Sequence, residues 1–281
     1  MPGEALTERE APLLLTTYTV AHALHARTHA PSHVARARPR QVVNLGHVAG
    51  IRSLLNAGAL TAMVMAMNYH LSQPDLQQRA ASALGKIAMI DEACRNAVVD
   101  SGAIKALVRA MEVNAEVAVL GERACNALAC IAAGSVPYKL ACVHAGAVGG
   151  VSAMMIRHKG GWALLQAAGC AVFAGIAAGC LECKRAVASQ GASAIAQALD
   201  ANDSRASFDE NHPGIKTHGC VAIGLVSYGD GECVSRLVAA GCVRCIVQLI
   251  RRHPTDAHLV QSVVGAIANV TSGDHAARAV S

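Results

Sequence analysis

The chain has 281 residues, a formal net charge of +5, 53% hydrophobic, 15% charged and 2% aromatic residues. So few charges and aromatics exclude a nucleic-acid binder, which would cluster Lys and Arg on one face or stack bases on rings. The core must be built from small apolar side chains on closely packed helices.

Eleven cysteines show none of the short spacing of a disulfide framework. A reducing, intracellular compartment is expected, cytoplasmic first and nuclear second.

Residues 1–45 carry no repeat and read as a disordered leader. Glu4, Glu8 and Glu10 precede an apolar run from Pro12 to Leu24, the wrong charge order for a secretory signal. Pro2 follows the initiator methionine, where myristoylation would need glycine. His22, His25, His29 and His33 would form a stripe on a helix, but Pro31 interrupts it, so a metal site is not expected. The segment ends in the basic stretch Arg36, Arg38, Arg40.

From Val48 onward a short phrase returns five times, around Gly58, Gly102, Gly146, Gly191 and Gly241, at intervals of 44, 44, 45 and 50 residues. A period in that range is the signature of a solenoid of stacked helical units. In the second unit the pattern predicts a first helix over Glu92 to Asp100, a turn at Ser101-Gly102, and a second helix over Ala103 to Met111. A third helix is predicted over Ala115 to Ala133. Ile104, Leu107, Val108 and Met111 fall on one helical stripe. Glycine suits the turn because it takes positive φ without penalty. Pro74 and Pro213 fall near the start of third helices, Pro137 opens a first helix, and Pro254 lies in a loop.

The third helices align as AASALGKIA, RACNALACIA, AGCAVFAGIA, HGCVAIGLVS and SVVGAIANVT. Here the sequence resembles the armadillo-repeat family, whose units carry Gly-Ala-hydrophobic at the second helix and Ala-Leu-x-Asn-Leu-Ala in the third. The resemblance covers Val48 to Ser272. It implies an all-α right-handed superhelix of about five three-helix repeats and a non-enzymatic role in protein binding. The Ala-, Gly- and Cys-rich units look closer to vacuolar armadillo anchor proteins and the armadillo region of leucine-rich-repeat kinases than to nuclear-import adaptors.

The domains then divide as a leader (1–45), a repeat array (46–273) and the start of a sixth repeat (274–281). The terminal DHAARAVS matches a first helix, whose apolar face would need a partner chain or further sequence to cover it. The fourth unit is the long one, and its excess lies in the polar loop Asp200 to His212.

Two CxxC pairs, Cys180/Cys183 and Cys242/Cys245, invite a metal or redox reading. The repeat register opposes it: Cys94, Cys183 and Cys233 share one position, and Cys125, Cys170 and Cys220 share another. Such sites pack small, softly apolar side chains. The uncharged stretch Gly160 to Leu181 mimics a membrane span, but it superposes on third helices and draws its apolarity from Ala and Gly, so no transmembrane segment is expected. No nucleophile with a local base, phosphate-binding loop or carboxylate pair is present, and His144 and His218 read as satisfied or surface groups rather than catalysts. No cofactor is expected.

In armadillo proteins that hold extended peptides, third helices line a concave groove with an asparagine ladder, because an amide both donates and accepts like a peptide unit. The corresponding residues here are Lys86, Cys130, Gly175, Leu225 and Asn269, of which only Asn269 fits. The tryptophan positions of nuclear-import adaptors hold Ser82, Asn126, Ala171, Val221 and Gly265. Two turns before the ladder positions lie Arg79, Arg123, Ala168, His218 and Ser262. The face is therefore expected to be basic and polar over the first two units, through Arg79, Ser82, Lys86, Arg123 and Asn126. It is bare at Gly175, apolar at Leu225 beside His218, and polar again at Asn269. A protein or peptide with acidic residues and an apolar anchor would match it. The alternatives are a cysteine-based metal-binding or redox protein, and a peripheral membrane anchor using the leader.

Overall fold

The computed structural model describes residues 50–203 and 213–278. The leader with its histidine stripe, and most of the polar loop from Asp200 to His212, lie outside the described residues. So do the last three residues of the expected sixth unit.

Fifteen helices form five successive three-helix units, and no strand occurs among the described residues. The first unit comprises α1 (Gly50–Asn56), α2 (Ala59–Tyr69) and α3 (Pro74–Ala88). The second comprises α4 (Glu92–Asp100), α5 (Ala103–Val113) and α6 (Ala118–Ala132). Next come α7 (Val136–His144), α8 (Ala147–Arg157) and α9 (Ala163–Ala177). The fourth unit is α10 (Leu181–Gln190), α11 (Ala192–Asp203) and α12 (Pro213–Ser227). The fifth is α13 (Gly231–Ala239), α14 (Cys242–Arg252) and α15 (Ala257–Arg278).

The recurring glycine makes the bend between first and second helices. Gly58, Gly102, Gly146 and Gly241 all sit at φ between 78° and 85°, a region that side chains with a Cβ avoid. Across this turn the chain bends by 67° between α1 and α2, 65° between α7 and α8, and 70° between α13 and α14. Gly191 departs from the pattern: its φ is −104° and α10 runs up to it without a left-handed turn. It is glycine for a different reason. A Cβ there would come within 3.2 Å of the Phe173 ring and 3.0 Å of the Val187 carbonyl oxygen.

The third helices form the inner layer. They pack on one another far more extensively than the rows of first or second helices do, and small residues let them approach. A Cβ at Gly85 would lie 3.1 Å from Ala127 Cα, and one at Gly224 would lie 3.2 Å from Ala266 Cα. Helix α9, flanked by α6 and α12, is buried on nearly every side, which explains its span-like composition. Among the described residues no single helix is long and apolar enough to cross a membrane.

The polar signals missing from the sequence reading are caps. Gln77 Nε2 donates to the carbonyls of Met67 and His70 at 2.8 and 2.9 Å, closing the end of α2. Gln166 does the same for α8 through Met155 and His158 at 2.9 and 3.1 Å. Asn114 ties the end of α5 to Leu71 of the preceding unit at 2.7 Å, so α6 begins three residues later than predicted. These bonds satisfy carbonyls that a helix end leaves without an intrahelical donor. At the other end of the array, α15 continues through Gly273 to Arg278 with no break for a sixth unit. Breaking a helix forfeits backbone hydrogen bonds, a cost met only where the separated piece packs on a neighbour.

Successive first helices are also joined by ion pairs, Arg52 to Asp91 at 2.7 Å and Arg185 to Asp230 at 3.0 Å. Asp91 additionally accepts the Cys94 backbone N–H at 2.7 Å, capping α4. The Arg52 guanidinium first, and the Cys94 amide second, hold its carboxyl down at about 2. A depressed carboxylate adds stability above its unfolded pKa and loses it as pH falls through the folded value. Asp91→Asn keeps a capping side chain but removes the charge. It should destabilise the protein at neutral pH, and its difference from wild type should shrink as pH falls from about 4 to about 2, measured by urea unfolding followed by circular dichroism.

Candidate functional site

The inner face presents the predicted residues in the predicted order, but not all of them to solvent. Arg79 and Lys86 on α3 and Arg123 on α6 are exposed, with Ser82, Asn126 and Cys130 half-buried between them. These residues stand one or two turns apart on adjoining, closely packed helices, so they form one continuous basic and polar surface. No described residue forms an ion pair or hydrogen bond with Arg79, Lys86 or Arg123.

Over the third and fourth units the face is shallower than expected. Gly175 is half-buried against Ala132, whose Cβ a side chain at 175 would approach to 3.2 Å. Ala168 and Val221 are buried, at 6% and 9% exposure, because the helices close over them, so neither contributes an open contact surface. His218 and Leu225 remain half-buried. The apolar contribution missed by the sequence reading is Leu164, 49% exposed and one turn before Ala168 on α9. Continuing the stripe backwards by four residues would have found it.

Asn269 is the one residue of an asparagine ladder, and it is partly committed. Its amide donates to the Gly224 carbonyl at 3.0 Å, tying α15 to α12. The chain's single tryptophan is not on this row either. Trp162 precedes α9 and donates its indole N–H to Glu122 at 2.9 Å, a link between the second and third units.

Cys242 and Cys245 are buried and donate to the carbonyls of Ala192 and Ala196 at 3.3 and 3.6 Å. Cys125 and Cys220 are buried in the third-helix layer, where burial pushes their thiols up to about 12. These are packing positions, inert as nucleophiles. No group of three metal-ligating side chains occurs among the described residues. His144 faces Glu182 across the unit boundary at 2.9 Å, a structural pair on the first-helix layer.

Comparison with known proteins agrees with this geometry. No family model matches the chain, and no curated protein matches it. Several solved structures do. A designed armadillo repeat protein in complex with the peptide (KR)4 is 20% identical, superposes with a TM-score of 0.65, and covers 78% of this chain and 85% of its own. A second designed armadillo repeat protein is 26% identical, with a TM-score of 0.62 over 76% of this chain and 83% of that one. Computationally designed armadillo repeat proteins for modular peptide recognition give 24% identity and a TM-score of 0.61 over 75% and 81% of the two chains. The fold is an all-α, right-handed, armadillo-like solenoid.

Proposed function

We propose that this chain is a non-enzymatic scaffold that holds an extended, acidic segment of a partner protein along its third-helix face. The observation that carries this reading is the set of exposed cations Arg79, Lys86 and Arg123, which no described carboxylate neutralises. Structural ion pairs are plentiful one layer away, between Arg52 and Asp91 and between Arg185 and Asp230. Uncompensated like charges on one surface repel each other and favour a ligand of opposite sign. Leu164 and Leu225 supply the apolar contacts further along. The peptide (KR)4 held by one structural neighbour would meet repulsion over the first two units here.

The scarcity of ladder asparagines and of groove tryptophans supports a place among the divergent armadillo proteins, nearer to vacuolar anchors and kinase repeat regions than to nuclear-import adaptors. Eleven cysteines without a disulfide between them suit the reducing cytoplasm, with the nucleus second.

The test uses a fluorescent peptide alternating Glu and Asp with a central Leu, and (KR)4 as the opposite charge. The wild-type chain should bind the acidic peptide in a salt-sensitive manner and leave (KR)4 unbound. The combined Arg79→Glu, Lys86→Glu and Arg123→Glu variant should bind the acidic peptide about 10- to 100-fold more weakly. An unchanged affinity in that variant, with its circular dichroism intact, would remove the basis of the proposal.

A further inference from the structure

One pair of thiols brings its sulfurs close together, and the reason lies in which repeat position each occupies. The first helices α4, α7, α10 and α13 begin after Asp91, Ser135, Cys180 and Asp230. A helix start favours an oxygen acceptor or a negative charge. Asp91 illustrates this by accepting the Cys94 backbone N–H at 2.7 Å, and Asp230 holds the corresponding place before α13. Cys180 places a thiol in that same position. It packs half-buried against the edge of the core, whereas Cys183 is fully buried within it.

Cys183 lies one turn into α10, with its sulfur 3.7 Å from that of Cys180. The intimacy is built into the backbone. A Cβ at Gly179 would come within 2.9 Å of the Cys183 sulfur, so glycine keeps that space clear. Two lysines frame the pair: Lys139 Nζ donates to the Ala178 carbonyl at 3.4 Å, and Lys184 Nζ to the Tyr228 carbonyl at 2.8 Å. Burial opposes ionisation of Cys180, yet the polar backbone of Cys183 and Glu182 at the helix start and the neighbouring Cys183 thiol bring its pKa below the usual thiol range. Burial and the bond to Cys180 push Cys183 up to about 11. One sulfur is thus poised as a nucleophile and its neighbour is held as a thiol.

We infer that Cys180 and Cys183 form a redox-active dithiol that is oxidised to an intramolecular disulfide by exchange with a low-molecular-weight disulfide, Cys180 attacking and Cys183 resolving. The Cys180 thiolate attacks one sulfur of the small disulfide, whose sulfur–sulfur bond breaks, and the first small thiol leaves after taking up a proton. Cys183 then loses its proton and attacks the Cys180 sulfur of the mixed disulfide, releasing the second small thiol. The protein dithiol loses two electrons and two protons, and the small disulfide gains them. Bond formation requires the sulfurs to close from 3.7 Å by about 1.7 Å, and both already lie within one helical turn.

The experiment exposes the full-length reduced chain to glutathione disulfide, alkylates the remaining thiols under denaturing conditions and maps the peptides by mass spectrometry. Wild type should yield the Cys180–Cys183 disulfide, with its mass lowered by two hydrogens. Cys183→Ala should stop at a glutathione adduct on Cys180, formed ~100-fold faster than any adduct on Cys125 or Cys142. Cys180→Ser, whose serine fits because Ser135 holds the same place before α7, should keep its circular dichroism and give neither product. Absence of the disulfide in wild type, or equally fast modification of Cys183 in Cys180→Ser, would overturn the inference. Both readings use variants and conditions that leave the basic third-helix face unaltered.

Discussion

Phe173→Ala is expected to lower the unfolding free energy by about 3–5 kcal/mol, the largest single-site loss in this array. Phe173 is the largest of the fully buried side chains. Helix α9 and its flanking helices are rich in Ala, Gly and other small residues, and the ring packs against Gly191. Such a wall cannot collapse into the void, because the helix axes are already at close approach through residues with no side chain to move. The position also matters. In a solenoid each unit is stabilised only by its neighbours, so a cavity in the third of five units weakens the coupling on both sides. Urea unfolding followed by circular dichroism should show a lower midpoint and a broader transition. A loss below about 1 kcal/mol would mean that the site repacks. Gly191→Ala supplies a second check, because its new Cβ would press on the Phe173 ring at 3.2 Å. In the double variant that clash is relieved, so the two losses should sum to more than the combined effect.

What the sequence carried well was everything expressed along the chain. The glycine interval placed the five units, and α4 spans the predicted Glu92–Asp100 because an acid caps its start and a glycine turn follows its end. What it carried poorly was the angle at which one unit meets the next. The period assigns Ala168, Val221 and Leu225 to one stripe, but only the packing of α9 and α12 decides that the first two are covered and the third is not. The same limit hid the caps: Gln77 and Gln166 matter because each reaches the end of the preceding helix across a loop. Gly191 shows a sharper version of the problem. One letter at one repeat position serves a left-handed turn in four units and close contact with an aromatic ring in the other. Cys180 packs against the core as expected, but its place at a helix start, which Asp91, Ser135 and Asp230 hold in other units, is invisible when cysteines are compared only with cysteines.

Gly85→Val should damage the inner face in a way that Gly102→Ala does not. At Gly102 nothing lies within 4 Å of an added Cβ, so the cost there is the left-handed backbone at φ 81°, about 1–2 kcal/mol, with the spacing of helices preserved. At Gly85 the backbone is ordinary helix and the obstruction is the Ala127 backbone itself, 3.1 Å from the Cβ before any γ-carbon is added. Valine therefore has to push α3 and α6 apart, at a cost of roughly 1–3 kcal/mol or more. These are the two helices that carry Arg79, Lys86 and Arg123. Separating them loosens the charge cluster as well as the core, so binding of the acidic peptide should fall even though no charge is altered. Small-angle scattering should report a larger radius of gyration for Gly85→Val and an unchanged one for Gly102→Ala. If both variants keep the wild-type dimensions while Gly85→Val still binds normally, close approach of the third helices does not set the geometry of the face. The basic residues would then act as independent point charges.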